Sequence, residues 1–292
     1  MENPLSEQAA TSAEDAMLVE QAKGGSRDAL ECLIERHQSW IFNVVLRMLY
    51  VRQDAEDTTQ EILVKVITKL STFEGRSSFR TWLYRLMINH VLNVKRRRWE
   101  EDGLSFQKYG DSINAVLDEA PDPAATPADL RLLEDEARIG CTSGMLLCLD
   151  REQRLVYVLG AIFGVTDGVG AELLETTPAN FRQKLSRARR DLRAFMQNQC
   201  GLINTANPCR CVKKMRGFAK AGYLDPTNLV FAREHVVHVR DVAAKRRDAL
   251  DALDEAYAEI HRDHPFQDGP DFLGALRVLI NGSDFQSTLE IK

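Results

Sequence analysis

Three clusters in the sequence have residue types and spacings that could do chemistry. Between Arg76 and Arg98 there are seven basic residues (Arg76, Arg80, Arg85, Lys95, Arg96, Arg97, Arg98) and no acid. Phe79, Trp82, Tyr84 and Asn89 are interleaved with them. Cations that follow phosphates and rings that stack on unpaired bases suit single-stranded nucleic acid. Taken one at a time, the same residues also read as core aromatics and a solvated basic face. From Asn180 to Arg193 six bases stand against one acid. A helix there buries Phe181, Leu185, Ala188 and Leu192 and turns Gln183, Ser186, Arg187 and Arg190 outward, with Ala179 and Arg182 at the margins. Amides and arginines on such a face read base edges in a major groove while the remaining cations hold phosphates. The third cluster is Cys200, Cys209 and Cys211, spaced C-x8-C-x-C, with His235 further on. Three thiolates and an imidazole suit a tetrahedral zinc ion, but the spacing is not a zinc signature. Zinc, redox-active thiols and plain reduced cysteines all stay open, and no other cofactor is expected.

Helices must position these groups. Leu30, Leu33, Ile34 and Ile41 recur at helical steps, as do Ile62, Leu63, Val66, Ile67 and Leu70, so an all-α fold is expected. Asp54 reads as the N-cap of the second of these helices. Asp54 to Glu61 carries four acids and no base, with Asp57, Gln60 and Glu61 on one face, which suits a basic protein partner or a solvated face. Further on, Leu155 to Phe163, Val169 to Leu174 and the helix opened by Thr177 and Pro178 read as a helix-turn-helix with its supporting helix.

The 292 residues suggest about two domains at roughly 150 residues each. A net charge of −5 argues against a globally basic coat protein. The chain divides into a helical block at 17–98, an acidic flexible linker at 99–129, a second helical block at 130–198 and a helical C-terminal extension at 199–292. The linker has seven acids and one lysine between Glu100 and Asp122, then Pro123 and Pro127. In the extension, Asn228 to His264 reads as one amphipathic helix, with a short helix following around Phe272–Ile280. The longest apolar stretch, Leu155 to Thr166, falls short of the ~20 residues of a spanning helix. Sparse cysteines and an acidic start without an apolar run point to a cytoplasmic protein with no membrane partner.

Two stretches together resemble a known family. DAEDTTQEILVKVITKLSTFEGRSSFRTWLYRLMINHVLNVKRRR, Asp54–Arg98, resembles the second conserved domain of sigma-70-type RNA polymerase sigma factors of the extracytoplasmic-function kind. LDREQRLVYVLGAIFGVTDGVGAELLETTPANFRQKLSRARRDL, Leu149–Leu192, resembles their fourth domain. The resemblance spans about residues 17–198 and implies a promoter-specificity subunit that is not an enzyme. Asp54, Glu56, Asp57, Gln60 and Glu61 would face core RNA polymerase. The strip Phe73, Ser77, Ser78, Phe79, Arg80, Trp82, Arg85, Asn89, Lys95, Arg96, Arg97 and Arg98 would open and read the minus-ten element. Ala179, Arg182, Gln183, Ser186, Arg187 and Arg190 would read the minus-thirty-five element. The partners implied are core polymerase and promoter DNA, duplex and single-stranded, with an anti-sigma factor as a further candidate. Glu175 departs from the pattern, because it stands at the motif turn where such sequences usually carry glycine. A side chain at positive φ costs ~1 kcal/mol there, so a reshaped turn is expected.

Two competing readings have their own discriminants. A helix-turn-helix regulator that does not bind polymerase explains Thr177–Arg193 and leaves the Arg76–Arg98 strip without a role; stable binding to core polymerase separates the two. A zinc enzyme lacks a general base beside the cysteines. The extension, close behind the DNA-reading helix across Gln197–Gly201, suggests regulation in cis.

Overall fold

The structure, a computed structural model, describes residues 4–6, 13–95, 98–101, 103–117, 130–225, 229, 231, 238 and 252–280. Helices account for its regular structure, and there is no strand among the described residues. The all-α expectation holds. The chain forms two compact units, and both are discontinuous in sequence.

The first unit comprises residues 1–94, 164–181 and 267–292. Its frame is α1 (Ala13–Lys23), α2 (Arg27–Leu49), α3 (Arg52–Lys69) and α4 (Phe79–Asn93). Ser26 starts α2 as its N-cap, its hydroxyl accepting from the Ala29 N–H. The helix ends at Tyr50, whose φ of 69° turns the chain, and only Tyr50 and Val51 separate it from α3. That short link moves the start of α3 forward of the expected N-cap. Val51 occupies the cap position without a side-chain hydrogen bond, and Asp54 lies in the first turn, where its charge opposes the positive end of the helix dipole. Ile62, Leu63, Val66, Ile67 and Leu70 are buried as their spacing requires. Ser78 caps α4 by accepting from the Thr81 N–H at 3.2 Å.

Two later segments complete this unit. Residues 164–181 contribute α9 (Asp167–Leu173) and the turn after it. Residues from Gln267 onward contribute a last helix, α13 (Phe272–Ile280), packed on α2. Asn43, fully buried on α2, accepts from the Gln267 backbone N–H at 2.9 Å and donates to the Gln267 carbonyl at 2.8 Å. Both bonds satisfy an amide that would be costly to bury unpaired. Phe272 packs on Phe42 with ring centres 5.7 Å apart, and Arg277 pairs with Glu31 at 3.1 Å.

The second unit comprises residues 95–163 and 182–266. Within the stretch read as a linker, residues 98–101 form the short α5 and Phe106–Leu117 form α6. Ring packing explains why α6 is ordered despite its acidic setting. Phe106 stacks at 5.2 Å from Phe195, and the Tyr109 hydroxyl donates to the Cys141 carbonyl at 2.7 Å. Residues 118–129, with Pro121, Pro123 and Pro127, lie outside the described residues. Glu100 receives hydrogen bonds from Arg151 (2.5 Å) and Arg154 (3.1 Å). The unit also holds α7 (Leu130–Leu146), α8 (Arg151–Tyr157), most of α10 (Pro178–Gln199), α11 (Cys211–Lys220) and α12 (Ala252–Arg262). The single amphipathic helix expected over 228–264 does not form: among the described residues Leu229, Phe231 and His238 are not helical, the Phe231 N–H donating to the Glu136 carboxylate at 2.8 Å and His238 bridging Pro265, and α12 covers Ala252–Arg262 alone. Val236, Val239, Val242 and Leu250 lie outside the described residues.

Candidate nucleic-acid interface

The basic strip is built around α4, and its residues sort by depth. Phe73, Phe79 and Trp82 form an aromatic cluster with centroid separations of 5.6–5.9 Å, and only Trp82 is half-exposed. Ser77 and Ser78 are half-buried at the start of the helix. Arg80 is buried at 2% exposure, and its guanidinium donates to the Ser6 carbonyl at 2.6 Å. Burial pulls its pKa down and Glu172 opposes that. Arg85 is half-buried, while Asn89 and Lys95 are exposed. Arg96 and Arg97 lie outside the described residues, as does the side chain of Arg98.

Beside Trp82 and Asn89 lies a groove of about 480 Å³, lined by Lys65, Lys69, Thr72, Trp82, Leu86, Asn89, His90 and Asn93. Lys65 and Lys69 come from α3, one helical turn apart, and both are exposed. They are the cations that sequence reading of the strip missed. The signal was an i, i+4 lysine pair on a helix read for its apolar stripe and its acidic face. His90 links the groove to the acidic face: its Nδ1 lies 2.5 Å from Lys65 Nζ and its Nε2 lies 3.0 Å from Glu61. Burial and then Lys65 lower the His90 pKa, with Glu61 opposing. A ring, two amides and two ammonium groups around one groove are the equipment for a stacked base and its phosphates.

The acidic face of α3 is arranged as the helical spacing requires. Asp57, Gln60 and Glu61 are exposed, opposite buried Ile62 and Val66. Asp54 and Glu56 are half-buried, and Glu56 pairs with Arg52 at 2.7 Å. Arg52 also donates to the Gln267 side chain at 2.7 Å and to the Asp268 carbonyl at 3.0 Å.

The helix-turn-helix forms where it was expected. Thr166 caps α9, and Thr177 caps α10 by accepting from the Asn180 N–H at 3.2 Å. Gly170 admits the Phe181 ring so closely that a Cβ there would sit 2.3 Å from it. Glu175 holds the turn at φ 51°, so the left-handed conformation is kept with a side chain in place. Along α10, Phe181, Leu185, Ala188 and Leu192 are buried, whereas Ala179, Arg182, Gln183, Ser186, Arg187 and Arg190 are all exposed.

Cys200, Cys209 and Cys211 are buried free thiols, and His235 lies outside the described residues. Cys141 of α7 is a further buried thiol, accepting from Lys214 Nζ at 3.0 Å. Among the described residues no group of three thiol, imidazole or carboxylate side chains is arranged to hold a metal ion. No helix among the described residues is long and apolar enough to cross a membrane.

Residues 33–101 match the sigma-70 region 2 family. The RNA polymerase sigma-H factor of Pseudomonas aeruginosa is 36% identical over 193 residues, covering 64% of this chain and 96% of that protein. The ECF RNA polymerase sigma-E factor of Haemophilus influenzae is 26% identical over 179 residues, covering 60% of this chain and 91% of that protein. Its Escherichia coli K12 counterpart is 27% identical over 176 residues, covering 60% and 90%.

Proposed function

The chain belongs to the sigma-70 family of RNA polymerase sigma factors, of the extracytoplasmic-function type, and from that premise we propose how its residues divide the work of promoter recognition. It is a promoter-specificity sigma factor. The exposed Asp57, Gln60 and Glu61, with Asp54 and Glu56 beside them, dock a basic surface of core RNA polymerase. The α4 groove receives the non-template strand of the minus-ten element once it is single-stranded. The exposed face of α10 reads the minus-thirty-five element as duplex.

The observation that carries this reading is the groove: Trp82 and Asn89 from α4 face Lys65 and Lys69 from α3 around one cavity. Opening a duplex requires no bond to be made or cut by this subunit. A site that binds unstacked bases and their phosphates lowers the free energy of the open form alone, and unstacking costs only a few kcal/mol. Half-buried Trp82 offers a ring face for that purpose, and the two lysines follow the backbone of the strand. On α10, each bidentate side chain to a base edge contributes about 1–3 kcal/mol of discrimination. The protein acts in the cytoplasm, where polymerase and promoter are found.

The test is initiation by core bacterial RNA polymerase on a pool of random promoter fragments, with and without the purified protein. Transcripts that depend on the protein return both recognised elements. Substituting Lys65 and Lys69 with Ala should abolish opening while leaving polymerase binding intact. No binding to core polymerase at all would leave a duplex-binding regulator as the better account.

A further inference from the structure

Within the first unit, Arg80 and Arg85, two cations of the α4 strip read above as facing promoter DNA, are already engaged by the chain itself, together with Thr81 between them. Thr81 Oγ1 donates to Glu172 Oε1 at 2.8 Å. Arg85 donates through Nε and Nη2 to the Glu172 carbonyl at 3.1 and 2.8 Å, and its Nη1 stands 3.3 Å from Glu175 Oε1. Arg80 Nη2 lies 3.8 Å from Glu172 Oε2. We propose that the end of α9, through Glu172 and Glu175, is an internal acidic ligand that occupies α4 in place of promoter DNA, and that DNA must displace it. The proposal rests on the reading of α4 as the DNA-binding face.

The chemistry of the two ligands is alike. A carboxylate and a phosphate both present acceptor oxygens to the guanidinium fork, and Arg85 cannot serve both with the same N–H groups. The Glu172 carbonyl, at the end of α9, accepts from the Glu175 backbone N–H at 3.4 Å and still adds a third acceptor for Arg85. The turn supplies an independent indication. Glycine would hold φ 51° at Glu175 with less strain, whereas glutamate adds the carboxylate that reaches Arg85. The contact also has the structure of something that opens. Arg80 anchors it at 1% side-chain exposure, but Glu172 and Glu175 are 44% and 67% exposed, so salt and a competing polyanion both reach them.

If the occupied form dominates, DNA binds with its intrinsic affinity reduced by the open fraction. Glu172→Gln with Glu175→Gly should therefore tighten binding of a mixed-sequence single-stranded oligodeoxynucleotide to the full chain by about tenfold, a typical coupling between two ligands. The variant with Glu14→Gln and Glu20→Gln removes the same charge from α1, so it measures the effect of net charge alone. Glu175→Gly by itself suits the turn, removes one contact and should give a smaller gain. Arg85→Ala in the Glu172→Gln/Glu175→Gly background then asks whether α4 touches DNA. A gain beyond the α1 control, lost again with Arg85→Ala, supports the proposal. A gain no larger than the control, with Arg85→Ala still weakening binding, overturns the proposal and leaves α4 as the DNA face. No effect of Arg85→Ala overturns the DNA reading of α4, and the proposal with it.

Discussion

The faces on α4 and α10 carry similar basic side chains and treat them in opposite ways. On α10, Arg182, Gln183, Ser186, Arg187 and Arg190 are all exposed, with Arg190 beside Asp191 at 3.4 Å. On α4, Arg80 is buried and bonded to Ser6, and Arg85 is held by Glu172 and Glu175. A net basic count is thus a poor measure of readiness to bind DNA. What matters is how far each cation is buried among its acceptors, because desolvating an arginine and then replacing its partner cancels most of the Coulombic gain. The sharpest way to break this contrast is to remove one arginine from each face. Arg80→Ala should lower the unfolding free energy by about 3 kcal/mol, since it leaves a cavity, strips the Ser6 carbonyl of its donor and removes the cation facing Glu172. Arg187→Ala should change it by no more than about 0.5 kcal/mol. Urea unfolding of the two variants decides the matter; equal, small changes would mean that Arg80 is not buried in solution.

The next effect concerns how the exposed face is aimed. Gly170→Ala would place a methyl 2.3 Å from the Phe181 ring, and Phe181 is fully buried at the start of α10. Overpacking of this kind costs about 1–3 kcal/mol. Gly168 has open space around its missing side chain, so Gly168→Ala should be close to neutral. Thermal unfolding of the pair tests this, and a mild Gly170→Ala would show that the two helices can move apart at little cost.

These cases mark what could be read from the sequence. The α10 face was legible residue by residue, because one helix with one buried stripe obeys the 3.6-residue period. The helix-turn-helix, the all-α class and the last helix at Phe272–Ile280 were legible for the same reason. The α4 strip was legible in composition but not in depth. Phe79, Arg80 and Thr81 are consecutive and all buried, so no single stripe separates inside from outside there. Lys65 and Lys69 become part of a groove only when α3 packs on α4, which is a tertiary fact. The bonds between Asn43 and Gln267 join residues 224 apart in the chain, and no local pattern announces them. The expected cap at Asp54 failed because Tyr50 turns the chain within one residue, which spacing arguments do not anticipate.

A smaller effect sharpens the exposed side of the comparison. Arg187→Ala should weaken binding to duplex promoter DNA by about tenfold, as expected for one base-edge or phosphate contact. The salt dependence separates the two possibilities. Loss of a phosphate contact lowers the slope of log K against log salt by about one and weakens all sequences alike. Loss of a base contact relaxes preference at one position. An unchanged affinity would remove Arg187 from the interface.

The smallest effect lies in the groove, at His90. Its neutral form accepts from Lys65 at Nδ1 and donates from Nε2 to Glu61, and a second proton would set an N–H against the Lys65 ammonium. Burial and Lys65 accordingly hold its pKa below the ordinary 6.5, against the pull of Glu61. The unfolded chain therefore takes up this proton first as the pH falls. The stability contributed by neutral His90 is complete above the unfolded value of about 6.5 and is lost as the pH drops through the lower folded value. His90→Gln removes the titration while keeping an acceptor and a donor, so the variant should lose stability less steeply than the parent between about pH 7 and pH 5. Denaturant midpoints measured across that range give the difference directly. Parallel curves would mean that the imidazole is free in solution and that the Glu61–His90–Lys65 chain does not tie the acidic face to the groove.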